Sequence, residues 1–191
     1  MSLEFPPIGI DASTSWTKDD TDTVTGNDGN TTTTTELSTY KTTVESAPYG
    51  NGTYKAWTTD TWQSYEPGTT IATGEWPACG AFDKSEGDSN TGLSYHTGRT
   101  YPSGSDNSNP GYLAIEMPVK IQLESYSIKN RNGSSWSSQS PKKWIIAGRN
   151  GDGDDWVDIH TVSDAAFSSQ GETKSWTVST NKYYSDFRFD W

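Results

Sequence analysis

Short stretches with apolar side chains on alternate positions recur along most of the chain. Such alternation is present in residues 113–117, 176–178 and 187–191, and residues 144–147 form a short apolar run. A period of two is typical of β-strands that bury one face, whereas an amphipathic helix needs apolar residues three and four positions apart. No window shows that helical spacing convincingly, so the pattern predicts many short strands.

Turn-forming residues separate these stretches at regular intervals. Residues 50–52 and 150–153 are Gly/Asn/Asp turns, and the second joins the run at 144–147 to a following strand as a hairpin. Residues 85–90 and 102–110 are longer polar loops. Many short strands joined in this way favour an all-β sandwich or jelly roll.

The first 46 residues differ in composition from the rest. They contain an uninterrupted threonine run at 31–35, and their clearest apolar anchors are residues 5–8 and Trp16. Because threonine favours extended structure, the segment fits edge strands as well as a linker. We expect an N-terminal extended arm over 1–46, partly ordered, and a β-sandwich domain over 47–191.

Composition makes a folded, aromatic-rich domain more plausible than a disordered chain. Only 30% of the 191 residues are hydrophobic, yet nine are tryptophan and ten are tyrosine. Large rings supply buried area that aliphatic side chains usually provide. The net charge of −11 disfavours nucleic acid and anionic membranes as partners, and leaves neutral sugars, basic partners and divalent cations open.

Motifs of catalysis and of membrane insertion are absent from the sequence. It has one cysteine, Cys79, and two histidines, and it lacks the Gly-x-Ser-x-Gly, His-Glu-x-x-His and phosphate-loop patterns. Glu75, Glu116 and Glu124 could serve a glycosidase, but nothing in the sequence brings two of them together. No apolar run is long enough to span a bilayer. The sequence therefore predicts a protein that is not an enzyme and does not insert into membranes.

Six segments, taken together and in order, resemble the discoidin-like domains, the coagulation factor 5/8 C-type relatives that have the galactose-binding-like fold. The most extensive is 140–156, similar to the family hairpin Ser-Pro-Lys-x-Trp…Gly-Ser-Asn-Asp-Gly-x-x-Trp. The others are the Tyr-Gly-Asn-Gly-Thr-Tyr opening at 49–54, the Ala-Phe-Asp loop at 81–83, and the strands at 111–118, 126–131 and 183–189.

This resemblance implies a discoidin-like jelly-roll β-sandwich over about 47–191. It also points to the branch found in viral or phage-like structural proteins and in surface proteins. The sequence departs from the family at Lys84, where glycine is usual, and at Arg149, where serine is usual. The acidic residues 152–155 lack the spacing of an EF-hand, so we interpret them as a strand-joining turn.

The resemblance further implies one structural calcium ion in the loop that follows Phe82. Asp83, Asp88 and Asn90 offer the hard oxygen ligands that Ca²⁺ prefers. Lys84 lies among them, so a solvated acidic turn is the alternative. We carry the three residues forward as candidate metal ligands.

Four residues in predicted loops are candidate contacts for a sugar. Trp136 and Tyr101 offer rings for stacking, while Arg131 and His96 offer hydrogen-bond donors for hydroxyl groups. Trp136 lies between serines and glycine, where packing is hard to arrange, although a packed ring is equally consistent with the sequence. For His96 the alternative is a purely structural role at the start of a strand.

These observations predict a non-catalytic module that binds a surface glycan or another cell-surface ligand. We expect it in an extracellular, cell-surface or virion-exposed protein, beside neighbouring domains or as a homo-oligomer. The alternative is a structural module of a virion, tail or fibre protein that contacts only neighbouring subunits.

Overall fold

The protein is seen here in a computed structural model that describes residues 16–19, 38–58, 78–82, 112–133 and 136–191. These residues form nine strands and two short helical turns. The strands are β1 (Thr17–Asp19), β2 (Ser38–Val44), β3 (Gly52–Thr58), β4 (Tyr112–Ile121), β5 (Ser125–Lys129), β6 (Trp144–Arg149), β7 (Val157–Val162), β8 (Thr173–Thr177) and β9 (Tyr184–Asp190). A 3₁₀ turn spans Ala78–Ala81, and the α-helix α1 spans Trp136–Gln139.

Seven of these strands form one antiparallel sheet in the order β1-β2-β3-β4-β9-β6-β7. Strands β5 and β8 form a second, two-stranded antiparallel sheet. One hydrophobic core joins the two sheets, because Tyr126, Ile128 and Trp176 of the small sheet pack on the buried face of the large one. The predicted all-β jelly-roll sandwich is therefore the fold that forms.

The core follows from the alternation in the sequence. Leu113, Ile115 and Met117 point into it from β4, and Phe187 lies opposite Ile115 on β9. Aromatic rings fill much of the remaining space, as the composition indicated: Trp144 lies edge-on to Trp176, with ring centroids 4.9 Å apart. Rings of this size let a chain with few aliphatic residues close a core.

Strands β1 and β2, within the N-terminal segment, extend the large sheet. Strand β2 pairs with β3 over seven residues, from Ser38 opposite Thr58 to Val44 opposite Gly52. Tyr40 is fully buried in the common core. Ordered edge strands thus occur inside the segment 1–46, while its boundary with the sandwich at residue 46 stays a prediction.

The hairpin of β6 and β7 forms around the turn anticipated at 150–153. Gly151 has a φ of 113°, which side-chain-bearing residues rarely adopt, so glycine suits this position. Asp154 N donates to Gly151 O at 3.1 Å and closes the turn. The acidic residues lie in a strand-joining turn, as the sequence pattern indicated.

Strand β4 ends at Ile121, and the chain enters the small sheet at Ser125. Between Glu116 and Ile121 the pairing of β4 with β9 is irregular. Pro118 falls within that interval, and a proline cannot donate to the strand ladder, so pairing is interrupted there.

The outer face of the large sheet carries buried charge rather than aliphatic side chains. Arg149, which replaces the usual serine of the family hairpin, donates from Nε to Asp186 Oδ2 at 3.0 Å, and both side chains are almost completely buried. The guanidinium of Arg149 also lies 4.5 Å from the ring centroid of Trp156. Burial raises the pKa of Asp186, and hydrogen bonds from Ser185 and Arg149 oppose that rise. Arg149, which departs from the usual serine, thus has an ion-pair partner in Asp186.

Candidate functional site

Two loops lie side by side at one end of the sandwich. The first, residues 130–143, connects β5 to β6, and the second, residues 163–172, connects β7 to β8. We call them together the Trp136 loop pair. Backbone hydrogen bonds join them: Asn130 N donates to Glu172 O at 3.0 Å, and Gly171 N donates to Arg131 O at 3.1 Å. The two loops therefore form one structural unit.

Asn130 is the main side-chain link within the loop pair. Its Nδ2 atom donates to Ser140 Oγ at 3.1 Å and to the Ser169 carbonyl at 2.9 Å. The side chain is buried, and its Oδ1 atom has no hydrogen-bond partner in the part of the chain that the structure describes. One asparagine thus ties the start of the first loop both to its own end and to the neighbouring loop.

The second loop is held in place by Glu172. Its carboxylate accepts hydrogen bonds from Ser168 N at 2.6 Å, Ser168 Oγ at 3.2 Å and Ser169 N at 3.3 Å. The bond from the Ser168 backbone is the main reason that the pKa of Glu172 lies below its usual value. The Lys174 ammonium donates to the Ala165 carbonyl at 2.9 Å and fixes the other end of the loop.

Trp136 begins helix α1 within the first loop. Trp136 N donates to Gly133 O at 3.0 Å, and the Trp136 carbonyl accepts from Ser140 N at 2.9 Å. These bonds fix the backbone at both ends of a single helical turn. The position of the tryptophan is therefore set by the main chain, while its ring is half-buried.

Trp136 differs from the other tryptophans of the described residues in its surroundings. It belongs to neither hydrophobic cluster, and within the described ranges its indole N–H has no hydrogen-bond partner and its ring stacks on no other ring. Every other described tryptophan packs in a cluster: Trp16, Trp144, Trp176 and Trp191 in the main core, and Trp57 and Trp156 on the outer face. A partly exposed ring outside both hydrophobic clusters suits ligand contact.

Arg131 lies in the same loop, five residues before Trp136. Its Nε atom would be 3.2 Å from a Cβ placed on Gly133, so the guanidinium side chain crosses the space that this glycine leaves open. A larger residue at 133 would push the arginine aside. The structure thus brings two of the four predicted contact residues into one loop.

The other predicted site residues lie outside the described residues. These are Tyr101 and His96 among the sugar contacts, and Asp83, Asp88 and Asn90 among the calcium ligands. The connection that contains them leaves β3 after Thr58 and enters β4 at Tyr112. Strand β4 begins at the end of the sheet near the Trp136 loop pair. Its first residue, Tyr112, lies in one row with Asp190 of β9 and with Ile145, which is near the start of β6.

Within the described ranges there is no group of three or more His, Cys, Asp or Glu side chains arranged to hold a metal ion. The same residues contain no helix long and apolar enough to cross a membrane. The calcium site thus stays a prediction for the loop after Phe82.

Sequence reasoning did not single out Asn130, Ser140 or Glu172, although they set the geometry of the loop pair. Asn130 bonds to Ser140 and Ser169, 10 and 39 residues away, whereas the partners of Glu172 are three and four residues away. Neither case leaves a distinctive pattern, since asparagine, serine and glutamate are common in solvated loops as well.

Comparison with known proteins defines the fold more closely. No protein-family profile matches the sequence, and no curated protein is similar to it. Among solved structures, the fold is similar to that of CpGH89CBM32-5 from Clostridium perfringens, in complex with GalNAc-β-1,3-galactose. The match covers 72% of this chain and 82% of the other, with a TM-score of 0.50 and 16% sequence identity.

The chain has a jelly-roll β-sandwich fold similar to that of this carbohydrate-binding module. At 16% identity the similarity concerns the fold alone. The resemblance seen in the sequence motifs is thus confirmed for the fold. The viral or phage-like branch stays a prediction.

Proposed function

We propose that this chain is a non-catalytic carbohydrate-binding module that recognises a glycan through the Trp136 loop pair. The observation that carries the proposal is the state of Trp136, a half-buried ring outside both hydrophobic clusters on a loop fixed by hydrogen bonds. Arg131 in the same loop supplies donors for sugar hydroxyl groups. A sugar ring would place its C–H face on the indole.

The related fold supports this proposal. The structural neighbour CpGH89CBM32-5 was solved with GalNAc-β-1,3-galactose bound. Glycans with a terminal galactose or GalNAc are therefore the first ligands to test. Binding by one shallow site is weak, and repeated modules on one protein or surface would raise the overall affinity by avidity. We accordingly place the module in an extracellular, cell-surface or virion-exposed protein.

The charged groups of the described residues support a non-catalytic role. Burial raises the pKa of Asp186 and of Asp190, and such shifts are a common mark of catalytic carboxyl groups. Each of the two, however, is paired with an arginine: Asp186 with Arg149 at 3.0 Å and Asp190 with Arg188 at 2.9 Å. Both carboxylates are therefore part of ion pairs on the outer face of the sheet.

A glycan array probed with the purified chain tests the proposal. We expect reproducible binding whose affinity falls at least about tenfold in Trp136→Ala, a loss of about 1.4 kcal/mol. The affinity should fall less in Trp136→Phe, which keeps a ring. Lys143→Ala is the matched control, an exposed residue at the end of the same loop. Thermal unfolding of each variant shows whether the fold is kept.

The same array run with and without millimolar Ca²⁺ tests the predicted metal site. Loss of binding with chelator, restored by Ca²⁺, would support the ligands Asp83, Asp88 and Asn90. A folded chain that binds no glycan would contradict the proposal and favour the alternative, a structural module that contacts only neighbouring subunits. Light scattering on that sample would then show whether it assembles with itself.

A further inference from the structure

A groove of about 450 Å³ lies along the start of β7, at the outer edge of the large sheet. We call it the β7 groove. Its lining comes from β7 on one side and from the connection between β8 and β9 on the other: Val157, Asp158, Ile159, Ser179, Thr180, Asn181, Lys182 and Tyr184. We propose that the β7 groove is a second saccharide-binding site, separate from the Trp136 loop pair.

Two polar side chains of the groove have no partner among the described residues. Asn181 and Lys182 make no side-chain hydrogen bond or ion pair in those ranges. Together they offer an amide that both donates and accepts, and an ammonium donor. Sugar hydroxyl groups need both donors and acceptors, so this set matches a neutral saccharide.

The wall that carries Asn181 and Lys182 is nevertheless held in place. Val178 N donates to Glu124 O at 2.8 Å, and Gln122 Nε2 donates to Thr180 O at 2.5 Å. At the far end, Asn150 Nδ2 donates to Tyr183 O at 3.2 Å. A backbone that is already fixed need not be ordered on binding, which favours even a shallow site.

The opposite wall is irregular at the place where the groove forms. Ile146 pairs with His160, but Ala147 pairs with Asp158, so Ile159 is the extra residue of a β-bulge. Bulges redirect side chains and are common beside binding sites. Val157, which is 41% exposed, and Ile159 add an apolar surface beside the polar groups. A sugar has the same division between a C–H face and hydroxyl groups.

The groove and the Trp136 loop pair lie at opposite ends of β7. The strand begins at Val157 in the groove and ends at Val162, where the second loop of the pair starts. At about 3.3 Å per residue, the two sites are roughly 17 Å apart along the strand. Two sites at this distance would let one module hold two sugars of a surface, with the gain in affinity that bivalent binding brings.

Amide NMR spectra of the ¹⁵N-labelled full chain, titrated separately with galactose, N-acetylgalactosamine and glucose to about 50 mM, test the inference. We expect at least one sugar to cause saturable shifts of the amides of residues 157–159 and 179–182. The affinity that these shifts report should fall at least about tenfold in Asn181→Ala and in Lys182→Ala. They should persist in Trp136→Ala and in the control Asp155→Ala, an exposed acidic residue outside the groove.

Three results would overturn the second site. They are the absence of saturable shifts at these amides with all three sugars, shifts unchanged in Asn181→Ala and Lys182→Ala, and groove shifts lost in Trp136→Ala. Groove shifts caused by a blocked Thr-Val-Thr-Lys-Thr peptide but by no sugar would identify an edge-strand peptide site instead. This inference and the proposed function are tested by different readouts. Array binding that is lost in Trp136→Ala reports the Trp136 loop pair, and groove shifts that remain in the same variant report the second site.

Discussion

The Trp136 loop pair and the wall of the β7 groove are both polar connections between strands, yet they use their side chains differently. In the loop pair, Asn130 and Glu172 direct their side chains to backbone and hydroxyl groups of the same two loops. In the groove, the side chains of Asn181 and Lys182 have no partners among the described residues, and side chains and backbone from elsewhere hold the wall.

This difference separates residues that build a surface from residues available to a ligand. A buried polar group must be hydrogen-bonded, so its removal costs stability. An exposed polar group that lacks protein partners can be removed with little effect on folding, and its effect appears in binding. The comparison can therefore be tested by measuring stability and binding in the same variants.

The largest effect on stability is expected for Asn130→Ala. The substitution removes two hydrogen bonds and leaves the Ser169 carbonyl without its donor, which by the usual cost of such losses is about 2 kcal/mol of unfolding free energy. Urea denaturation gives the value. Asn181→Ala is the matched control, and a loss of equal size in both variants would contradict the comparison.

A pH-dependent effect is expected at Glu172. Its folded pKa lies below the usual value of 4.5, chiefly because Ser168 N donates to the carboxylate. A lowered pKa means that the carboxylate stabilises the fold above pH 4.5, and that this contribution is lost as the pH falls through the folded pKa. The amide resonances of Ser168 and Ser169 should therefore move together with acid.

Glu172→Gln is the variant that tests this assignment. It keeps the shape and removes the charge, so the acid-dependent movement of the two amides should disappear while the chain stays folded. Persistence of the movement in Glu172→Gln would assign the titration to another group.

The smallest effect on stability is expected in the groove. Lys182→Ala and Asn181→Ala should each change the free energy of unfolding by less than about 0.5 kcal/mol, as is usual for exposed side chains without partners. Thermal and urea unfolding measure this directly. A marked destabilisation by either substitution would place the side chain among the structural residues and remove it from the proposed site.

Local patterns predicted many of the described strands and one of their pairings. The alternation at 113–117 and 187–191 marks the faces of β4 and β9 that meet in the core, and the turn at 150–153 joins β6 to β7. The alternation did not show that Tyr126 and Ile128 belong to the second sheet. A period of two records which residues are buried, but not in which sheet.

The site was predictable to a smaller extent. A tryptophan among serines and glycine marked Trp136, and a nearby arginine marked Arg131, from local composition. The β7 groove had no such mark, because its walls come from residues about 20 positions apart and its bulge depends on the register of β6 against β7.

The sequence by itself determined the strand content, the aromatic core and the class of fold, since burial of alternate side chains is a local requirement that each segment expresses separately. Only the tertiary structure decided which polar residues were available to a ligand. Asn130 and Asn181 are the same residue type, and they differ because the fold brings a neighbouring loop with Ser169 beside Asn130, while no described residue pairs with the Asn181 side chain.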